Sequence, residues 1–415
     1  MPKLKPLNEQ VIVVTGASSG IGLATAQRAA KRGARVLLAS RNHDALKAIT
    51  DEINKDGGDA AYVVADVGVR EDVERIAQCA AERFGGFDTW VNDAGVGIFA
   101  RIEAVSEEDA RRLFDTNFWG VVNGSQIALR QLKSRGGALI NVGSIESDIA
   151  VPLHGVYAAS KHAVKAFTDA LRAELREEGA PVSVTLIKPG SIGTPMLQNF
   201  KNEMPEEARF PPPVYRPEDV ALAILHAAVH PKQEIYVGSA AKMMSLSKRA
   251  TPKLFDRIGS LIFMPLETQD EPNRTRRDNL YAPAFDGQVR GEHPGMVRPS
   301  LYTRASLHPV ITGAALLTGL LAAAAIIKRK EIAEAAEKLA PVASRWADRV
   351  GETAGSTGER LAKTAEGIGG RLSSAFDQVS DTARRLPRRA RPLRRNLSDI
   401  RKAVERRAPA RLFGR

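Results

Sequence analysis

The chain has 415 residues, of which 43% are apolar and 26% charged, so a small disulfide-stapled fold, wholesale disorder and a multi-span membrane protein are excluded. Its one cysteine, Cys79, cannot form an internal disulfide and indicates a reducing compartment. The net charge of +12 is concentrated at the end: residues 384–415 hold 13 Lys+Arg and 2 Asp+Glu, whereas residues 1–327 carry a net charge of +1. Attraction to phosphate or anionic lipid is therefore localised to this basic tail.

Short β-branched runs alternate with longer helical patterns from residue 8 to about 240. Strands are predicted at Val11–Thr15, Arg35–Ala39, Ala61–Ala65, Asp88–Asn92, Ala138–Val142, Val182–Ile187 and Glu234–Val237. Crossover helices are predicted at Gly22–Arg32, Asp44–Asp56, Val69–Phe84, Ser106–Ser134, Tyr157–Glu178 and Pro217–His230. Strict alternation predicts an α/β domain over residues 1–270, with a doubly wound parallel sheet of seven strands. The N-terminus runs straight into the first strand without a signal-peptide pattern, so we expect this domain in the cytoplasm.

Three further regions follow the predicted domain. Residues 271–305 are rich in Pro, Gly and Arg and are interpreted as a linker. Residues 306–327 include the charge-free run Val310–Ile327, whose 18 helical residues reach about 27 Å, close to the hydrocarbon thickness of a bilayer. We interpret it as a transmembrane or membrane-associated helix, with an Ala-rich packing helix as the alternative. Residues 328–415 are predicted to form an amphipathic, Arg-rich helical tail.

The topology of the hydrophobic helix is open. Lys328, Arg329 and Lys330 place its C-terminal side in the cytoplasm by the positive-inside rule. The α/β domain on its N-terminal side is expected there too, and a single span does not satisfy both. Either the basic tail is exported, or the helix lies in the interface or re-enters and leaves both ends cytoplasmic.

A glycine-rich motif, TGASSGIG at Thr15–Gly22, follows the first predicted strand and opens the first helix. Gly16 suits a tight turn, Gly20 allows backbone to approach a pyrophosphate, and Gly22 allows helix and strand to pack closely. The helix N-terminus offers free N–H groups to phosphates. A plain strand–helix turn is the alternative, but the position at the start of an alternating α/β domain favours a dinucleotide site.

The end of the second strand bears on which dinucleotide binds. An acidic residue there takes the ribose 2′-hydroxyl of NAD, whereas an Arg accommodates the 2′-phosphate of NADP. Ser40 stands at the acidic position and Arg41 follows it. The sequence therefore predicts NADP(H) rather than NAD(H), unless Arg41 is only a solvated loop residue.

Tyr157 and Lys161 lie four residues apart, on one face of a predicted helix. An ammonium beside a phenol favours the phenolate and lowers the pKa of the tyrosine towards a range useful for acid–base chemistry. Ser144 ends the strand-like segment ALINVGS, at the sheet edge where such folds bind ligands. These three side chains are candidate catalytic groups, although an isolated pair of this kind also occurs on surface helices.

Together the motifs resemble those of the short-chain dehydrogenase/reductase family over about residues 8–240. Order and spacing agree for TGASSGIG at 15–22, Asp66-Val67, NDAG at 92–95, Asn117 in DTNFWG, Ser144, Tyr157 with Lys161, and PGSIGT at 189–194. The resemblance implies a seven-stranded Rossmann fold. Asp93 departs from the family's usual asparagine.

The resemblance also implies residue roles. Tyr157 would be the general acid or base, Ser144 would bond the reacting oxygen, Lys161 would hold the nicotinamide ribose, and Asn117 would position a water. The implied cofactor-binding residues are Gly16, Ser18, Ser19, Gly20, Ile21, Gly22, Arg41, Asp66, Val67, Asn92, Gly95, Tyr157, Lys161, Pro189, Gly190, Ile192 and Thr194. No metal site is predicted.

The substrate pocket is expected to be apolar, with Phe99, Trp119, Leu153, His154 and Met196 near its border and His154 on the loop rim. The segment Gln198–Tyr215 falls where the family keeps a substrate lid.

The predicted function is NADP(H)-dependent interconversion of an alcohol and a ketone or aldehyde, by a homo-oligomer that associates with a membrane. The alternative is a membrane-associated scaffold or cofactor sensor. Nucleic-acid binding is disfavoured because Phe413 is the one aromatic residue in 384–415.

Overall fold

The computed structural model describes residues 2–274, 277–284, 286–292, 295–308 and 312–313. Apart from 312–313, the hydrophobic segment Val310–Ile327 lies outside the described residues, as does the tail at 328–415. Within the described part, no helix has the length and apolar character needed to cross a membrane.

A parallel sheet of seven strands forms the centre of the fold, in the order β7-β6-β5-β4-β1-β2-β3. The strands are β1 (Val11–Thr15), β2 (Arg35–Ser40), β3 (Asp59–Val64), β4 (Thr89–Asn92), β5 (Gly137–Val142), β6 (Val182–Pro189) and β7 (Glu234–Val237). Every neighbouring pair is parallel, which confirms the predicted doubly wound Rossmann architecture. The strand order reverses between β1 and β4, and a crevice opens at the carboxyl ends of the strands at such a point.

Helices cover both faces of the sheet. They are α1 (Gly20–Ala30), α2 (His43–Lys55), α3 (Arg70–Phe84), α4 (Glu107–Phe114), α5 (Gly120–Arg135), α6 (Gly155–Glu177), α7 (Met196–Asn199), α8 (Pro217–Ala227), α9 (Ser239–Ala250), α10 (Pro252–Glu267) and α11 (Leu301–Leu307). Strand β1 is buried on both faces: Ile12 and Val14 join one core, whereas Val11 and Val13 join the other. Central parallel strands are uniformly apolar for this reason.

One predicted helix is divided in the structure. The segment Ser106–Ser134 forms α4 and α5, joined by a π-helical turn at Asp115–Trp119. The wider turn contains Asn117, and turns of this kind are frequent at functional sites.

The described residues after 270 belong to the same compact unit as the sheet, which extends to Gly313. Thr268–Pro272 pairs antiparallel with Glu206–Ala208, and Val297–Arg298 pairs parallel with Val214–Tyr215. Between these pairs, residues 277–292, here called the strap, lie against the crevice; residue 285 is outside the described part. The structure thus differs from the predicted linker, because the strap buries Leu280 completely and hydrogen-bonds to the domain.

Candidate active site

The glycine-rich loop lies between β1 and α1, where it lines the crevice. Gly16 has φ +69°, and a Cβ there would lie 2.8 Å from the Cα of Ala94, so only glycine fits without a backbone shift. Helix α1 begins at Gly20, and its first N–H groups point out of the helix end beside Ser18 and Ser19. A helix N-terminus at this place suits a pyrophosphate. In this structure the Gly20 N–H donates to the Gln288 carbonyl at 2.9 Å, and the Gly22 N–H faces Asp93.

One continuous cleft runs from the end of β2 to Tyr157. Of the predicted site residues, those that line it are Gly16, Ser18, Ser19, Gly20, Ile21, Arg41, Asp66, Val67, Gly95, Ser144, Tyr157, Lys161, Pro189, Gly190, Ile192 and Thr194. The structure thus joins residues from widely separated segments of the chain in one cleft.

Ser144, Tyr157 and Lys161 meet at one end of this cleft. Ser144 follows β5, and Tyr157 and Lys161 lie on α6, one turn apart. The Ser144 side chain favours the ionised form of Tyr157, and its hydroxyl accepts from the Glu146 N–H at 3.1 Å. Lys161 Nζ lies 5.6 Å from the centroid of the Tyr157 ring and donates to the carbonyl of Val142 at 3.0 Å. All three side chains are buried.

Burial dominates the acid–base behaviour of this group. It raises the pKa of Tyr157, as does the charge of Glu146, while the neighbouring Ser144 side chain opposes the rise. It also lowers the pKa of Lys161 to about 8, against the charges of Asp93 and Glu146. The direction for Tyr157 is opposite to the sequence expectation, because removal of the phenol from water outweighs the nearby cation.

Asp93 stands between the glycine-rich loop and Lys161. Burial raises its pKa to about 7, although Lys161 and the backbone N–H of Gly22 stabilise its charged form. The departure from the family's asparagine therefore places a titratable group beside Lys161.

Three predicted residues lie behind the cleft wall. The Asn117 amide donates to the Val96 carbonyl at 2.9 Å and accepts from the Val96 N–H at 2.8 Å. The Asn92 amide donates to Asn141 at 2.9 Å and accepts from the Trp90 indole at 2.8 Å. The third, Gly22, packs against the Gly16 carbonyl.

Arg41 and Asp66 line the cleft but are engaged by protein groups. The guanidinium of Arg41 donates to the backbone carbonyls of Asn279 and Leu280 on the strap. The Asp66 carboxylate forms an ion pair with Arg112 and accepts from the Gly68 N–H. These hydrogen bonds outweigh burial and lower the pKa of Asp66.

The strap adds cleft residues that the sequence did not predict. Asp286 accepts hydrogen bonds from the Ser18 hydroxyl at 2.7 Å and the Asn42 amide at 2.9 Å. The carbonyl of Gln288 accepts from the N–H of Gly20 at 2.9 Å. No local sequence pattern signals these contacts, because Ser18 and Asp286 are 268 positions apart.

The expected apolar pocket is partly realised. Phe99 and Leu153 pack in one cluster with Tyr157 and Phe200, and Met196 lies at its edge. Two predictions are corrected here.

Trp119 is 51% exposed, because the π-helical turn directs it outward. His154 is buried rather than on the rim, since its ring packs on Phe99 and its Nδ1 lies 3.0 Å from Glu146 Oε1. Burial opposes protonation of His154, but Glu146 raises its pKa to about 9.

A doubly wound parallel sheet with a glycine-lined cleft at its switch point and a buried Ser–Tyr–Lys group defines an α/β dinucleotide-binding oxidoreductase. Comparison with known proteins agrees: residues 10–205 match the short chain dehydrogenase family. The uncharacterized oxidoreductase YxnA of Bacillus subtilis is 46% identical over 328 residues, covering 78% of this chain and 92% of that protein. The chain belongs to the short-chain dehydrogenase/reductase family.

Two further relatives are more distant. The 11-beta-hydroxysteroid dehydrogenase-like 4A protein of Arabidopsis thaliana is 40% identical over 188 residues, 45% of this chain and 62% of that one. The crystal structure of a short chain dehydrogenase/reductase from Burkholderia phymatum in complex with NAD is 25% identical, with a TM-score of 0.55. The structural match covers 60% of this chain and 96% of the Burkholderia phymatum chain.

Proposed function

We propose that this oxidoreductase interconverts an alcohol and the corresponding ketone or aldehyde, using NADP(H). The observation that carries the proposal is the meeting of the buried Ser144, Tyr157 and Lys161 side chains in the same cleft as the glycine-rich loop, with Lys161 Nζ 5.6 Å from the centroid of the Tyr157 ring. A domain that only bound cofactor, as in the scaffold alternative, would have no chemical use for a buried phenol beside a buried ammonium.

In the proposed reaction, Tyr157, Ser144 and Lys161 have separate roles in the proton transfer. A bound nicotinamide cofactor would provide the hydride chemistry at the substrate carbon, as donor in carbonyl reduction and as acceptor in alcohol oxidation. The Tyr157 hydroxyl gives its proton to the carbonyl oxygen in reduction and takes the alcohol proton in oxidation. Ser144 holds that oxygen by a hydrogen bond, and the Lys161 cation stabilises the phenolate that remains.

Cofactor binding is assigned by position in the cleft. The N-terminus of α1 with Ser18 and Ser19 would hold the pyrophosphate. Arg41 at the end of β2 would hold the 2′-phosphate, which favours NADP(H). The remaining proposed contacts are Asp66 and Val67 to adenine, Gly95 along the cleft, and Pro189, Gly190, Ile192 and Thr194 near the nicotinamide. Asn117 would support Lys161 through an intervening water.

An apolar substrate fits the side of the cleft next to Tyr157. Phe99, Leu153 and Phe200 cluster there, and Phe200 lies 5.9 Å from the Tyr157 ring. Burial of a substrate carbon skeleton against such rings would be driven mainly by the removal of apolar surface from water.

The test is a screen of NADPH oxidation with apolar aldehydes and ketones. Tyr157→Phe should lower kcat at least 100-fold, since it removes the proton donor. Ser144→Ala should lower kcat with little change in the Kd for NADP+. Tyr62→Phe, on β3 outside the cleft, is the matched control and should keep wild-type activity. Wild-type turnover by Tyr157→Phe would refute the assignment.

We further propose that the enzyme is a cytoplasmic homo-oligomer that associates with a membrane through residues 306–327 and the basic tail. The helices α9 and α10 support a membrane-facing side, because Met243, Leu246, Leu261 and Ile262 are exposed there. Basic side chains such as Lys248 lie among them, as is typical of interfacial helices. Light scattering of the purified chain tests the oligomeric state.

A further inference from the structure

The strap brings a carboxylate to the end of β2, where the sequence has none. Asp286 lies between Ser18 of the glycine-rich loop and Asn42, the second residue after β2. In this fold, the residue at the end of β2 faces the 2′ position of the adenosine ribose. Asp286 therefore occupies the place that an acidic residue of β2 takes in an NAD-binding site.

We propose that Asp286 is a cofactor-selectivity residue, which disfavours the 2′-phosphate of NADP(H) and accepts the 2′-hydroxyl of NAD(H). This rests on the proposed dinucleotide function. A hydroxyl donates a hydrogen bond to a carboxylate, whereas a phosphate beside it brings two negative charges together.

Arg41 acts in the opposite direction at the same place. Its guanidinium is held by the strap carbonyls of Asn279 and Leu280, and the charge of Asp286 acts on it. A 2′-phosphate would draw Arg41 to itself and displace Asp286 from Ser18. The cofactor preference thus depends on Arg41 and on Asp286, with the charges of Asp66 and Arg112 also acting on Arg41.

The strap does not depend on Asp286 for its position. The two residues after Asp286 hold the strap backbone on the glycine-rich loop. The Gly287 N–H donates to the Ser18 carbonyl at 2.8 Å, and the Gln288 carbonyl accepts from the Gly20 N–H. Leu280 is fully buried, and Arg290 forms an ion pair with Glu218 at 2.7 Å. Removal of the Asp286 charge should therefore leave the strap in place.

The experiment compares the full-length wild type with Asp286→Asn, which keeps the shape and removes the charge, and with Asp286→Ala. Glu292 is an exposed carboxylate on the same strap, so the Glu292→Gln variant controls for the change in net charge. Calorimetric titrations with NADP+ and NAD+ give the Kd values. Titrations with 2′,5′-ADP and 5′-AMP confine the comparison to the adenosine end.

Both Asp286 variants should shift the ratio of affinities towards NADP+ by at least tenfold, which corresponds to about 1.4 kcal/mol. The ratio for 2′,5′-ADP over 5′-AMP should move in the same direction, and Glu292→Gln should change both ratios less than about twofold. An unchanged ratio, an equal change for both dinucleotides, or a shift towards NAD+ would overturn the proposal.

The wild-type preference tests a different statement. If the wild type prefers NAD+ and the Asp286 variants still shift towards NADP+, the proposed NADP(H) preference is wrong and the role of Asp286 stands. If the wild type prefers NADP+ and the affinity ratio of the variants does not shift, the proposed NADP(H) preference stands and the role of Asp286 is wrong. If neither dinucleotide binds the wild type, both proposals are refuted.

Discussion

The apolar pocket near Tyr157 also contains buried titratable side chains. His154 and Glu146 form a pair whose side chains are 11% and 10% exposed, with the Phe99 ring against the imidazole. Glu267 of α10 also acts on His154, and burial raises the pKa of this carboxyl to about 7. An ionised pair in such surroundings is costly to break, because the remaining charge is left buried.

We expect His154→Gln to destabilise the protein by about 3 kcal/mol at pH 6, because it leaves Glu146 unpaired. The pKa of His154 is raised to about 9, so its stabilising effect is complete below about 6.5 and is lost as the pH rises through 9. Urea unfolding at several pH values should therefore show the difference between wild type and variant shrinking above neutral pH.

Two comparisons make this test specific. A Glu267→Gln background removes a carboxyl that acts on His154 and whose own pKa of about 7 falls in the interval. His43→Gln removes an exposed pair with Asp44 and should have little effect, as is usual for surface pairs. A difference between wild type and His154→Gln that stays constant from pH 6 to 10 would show that the charge of His154 is not the cause.

At the scale of elements, the site depends on how closely α1 approaches the loop that precedes it. A Cβ on Gly22 would lie 2.3 Å from the Gly16 carbonyl oxygen and 2.9 Å from a carboxylate oxygen of Asp93. The first neighbour is backbone and cannot rotate away. Helix and loop therefore keep their spacing only with glycine at this position.

Gly22→Ala should move α1 away from the loop, lowering the free energy of unfolding by about 1–3 kcal/mol. It should also weaken NADP+ binding at least tenfold, since the helix N-terminus is displaced from the phosphates. Gly179→Ala is the control: its φ is +67° and nothing lies within 4 Å of the added Cβ. It should cost about 1 kcal/mol of backbone strain and leave the Kd unchanged. Equal Kd values for the two variants would contradict this account.

For the whole molecule, the catalytic domain extends well beyond the last strand of the sheet. Helix α11 packs its Leu307 into the core beside α8, and Thr303 accepts a hydrogen bond from the Gly238 N–H at 3.0 Å. Arg304 pairs with Asp219 of α8 at 3.1 Å. The helix thus covers the β7 edge of the sheet, whereas the strap closes the cleft at the end of β2.

Truncation separates these contributions. A chain of residues 1–313 keeps the strap and α11, so it should bind NADP+ and turn over like the full chain. A chain of residues 1–270 lacks both and should lose most of its cofactor affinity and stability. In membrane fractionation, the full chain should sediment and residues 1–313 should stay in the supernatant. A full chain that stays in the supernatant without detergent would refute the membrane proposal.

Much of the fold was predictable from local pattern. The predicted β1 range, Val11–Thr15, is the observed one, and β2 and β5 differ by one residue at one end. Buried parallel strands are continuous apolar runs, and a glycine-rich turn between strand and helix is a short-range feature. The sequence by itself therefore determined the seven-stranded parallel sheet and most of the residues that reach the cleft from the ends of the strands, whereas the strand order and its switch point came from the structure.

Tertiary structure decided what depends on distant segments and on burial. Asp286 reaches Ser18 from 268 positions away through an irregular segment, so no periodicity marks it. The rise of the Tyr157 pKa and the pairing of His154 with Glu146 both depend on burial in the folded domain. The residues adjacent in sequence do not determine that burial. The motifs predicted most of the residues that line the cleft, whereas long-range packing placed Asn92 and Asn117 behind its wall, set the charges of its groups and added Asp286 of the strap.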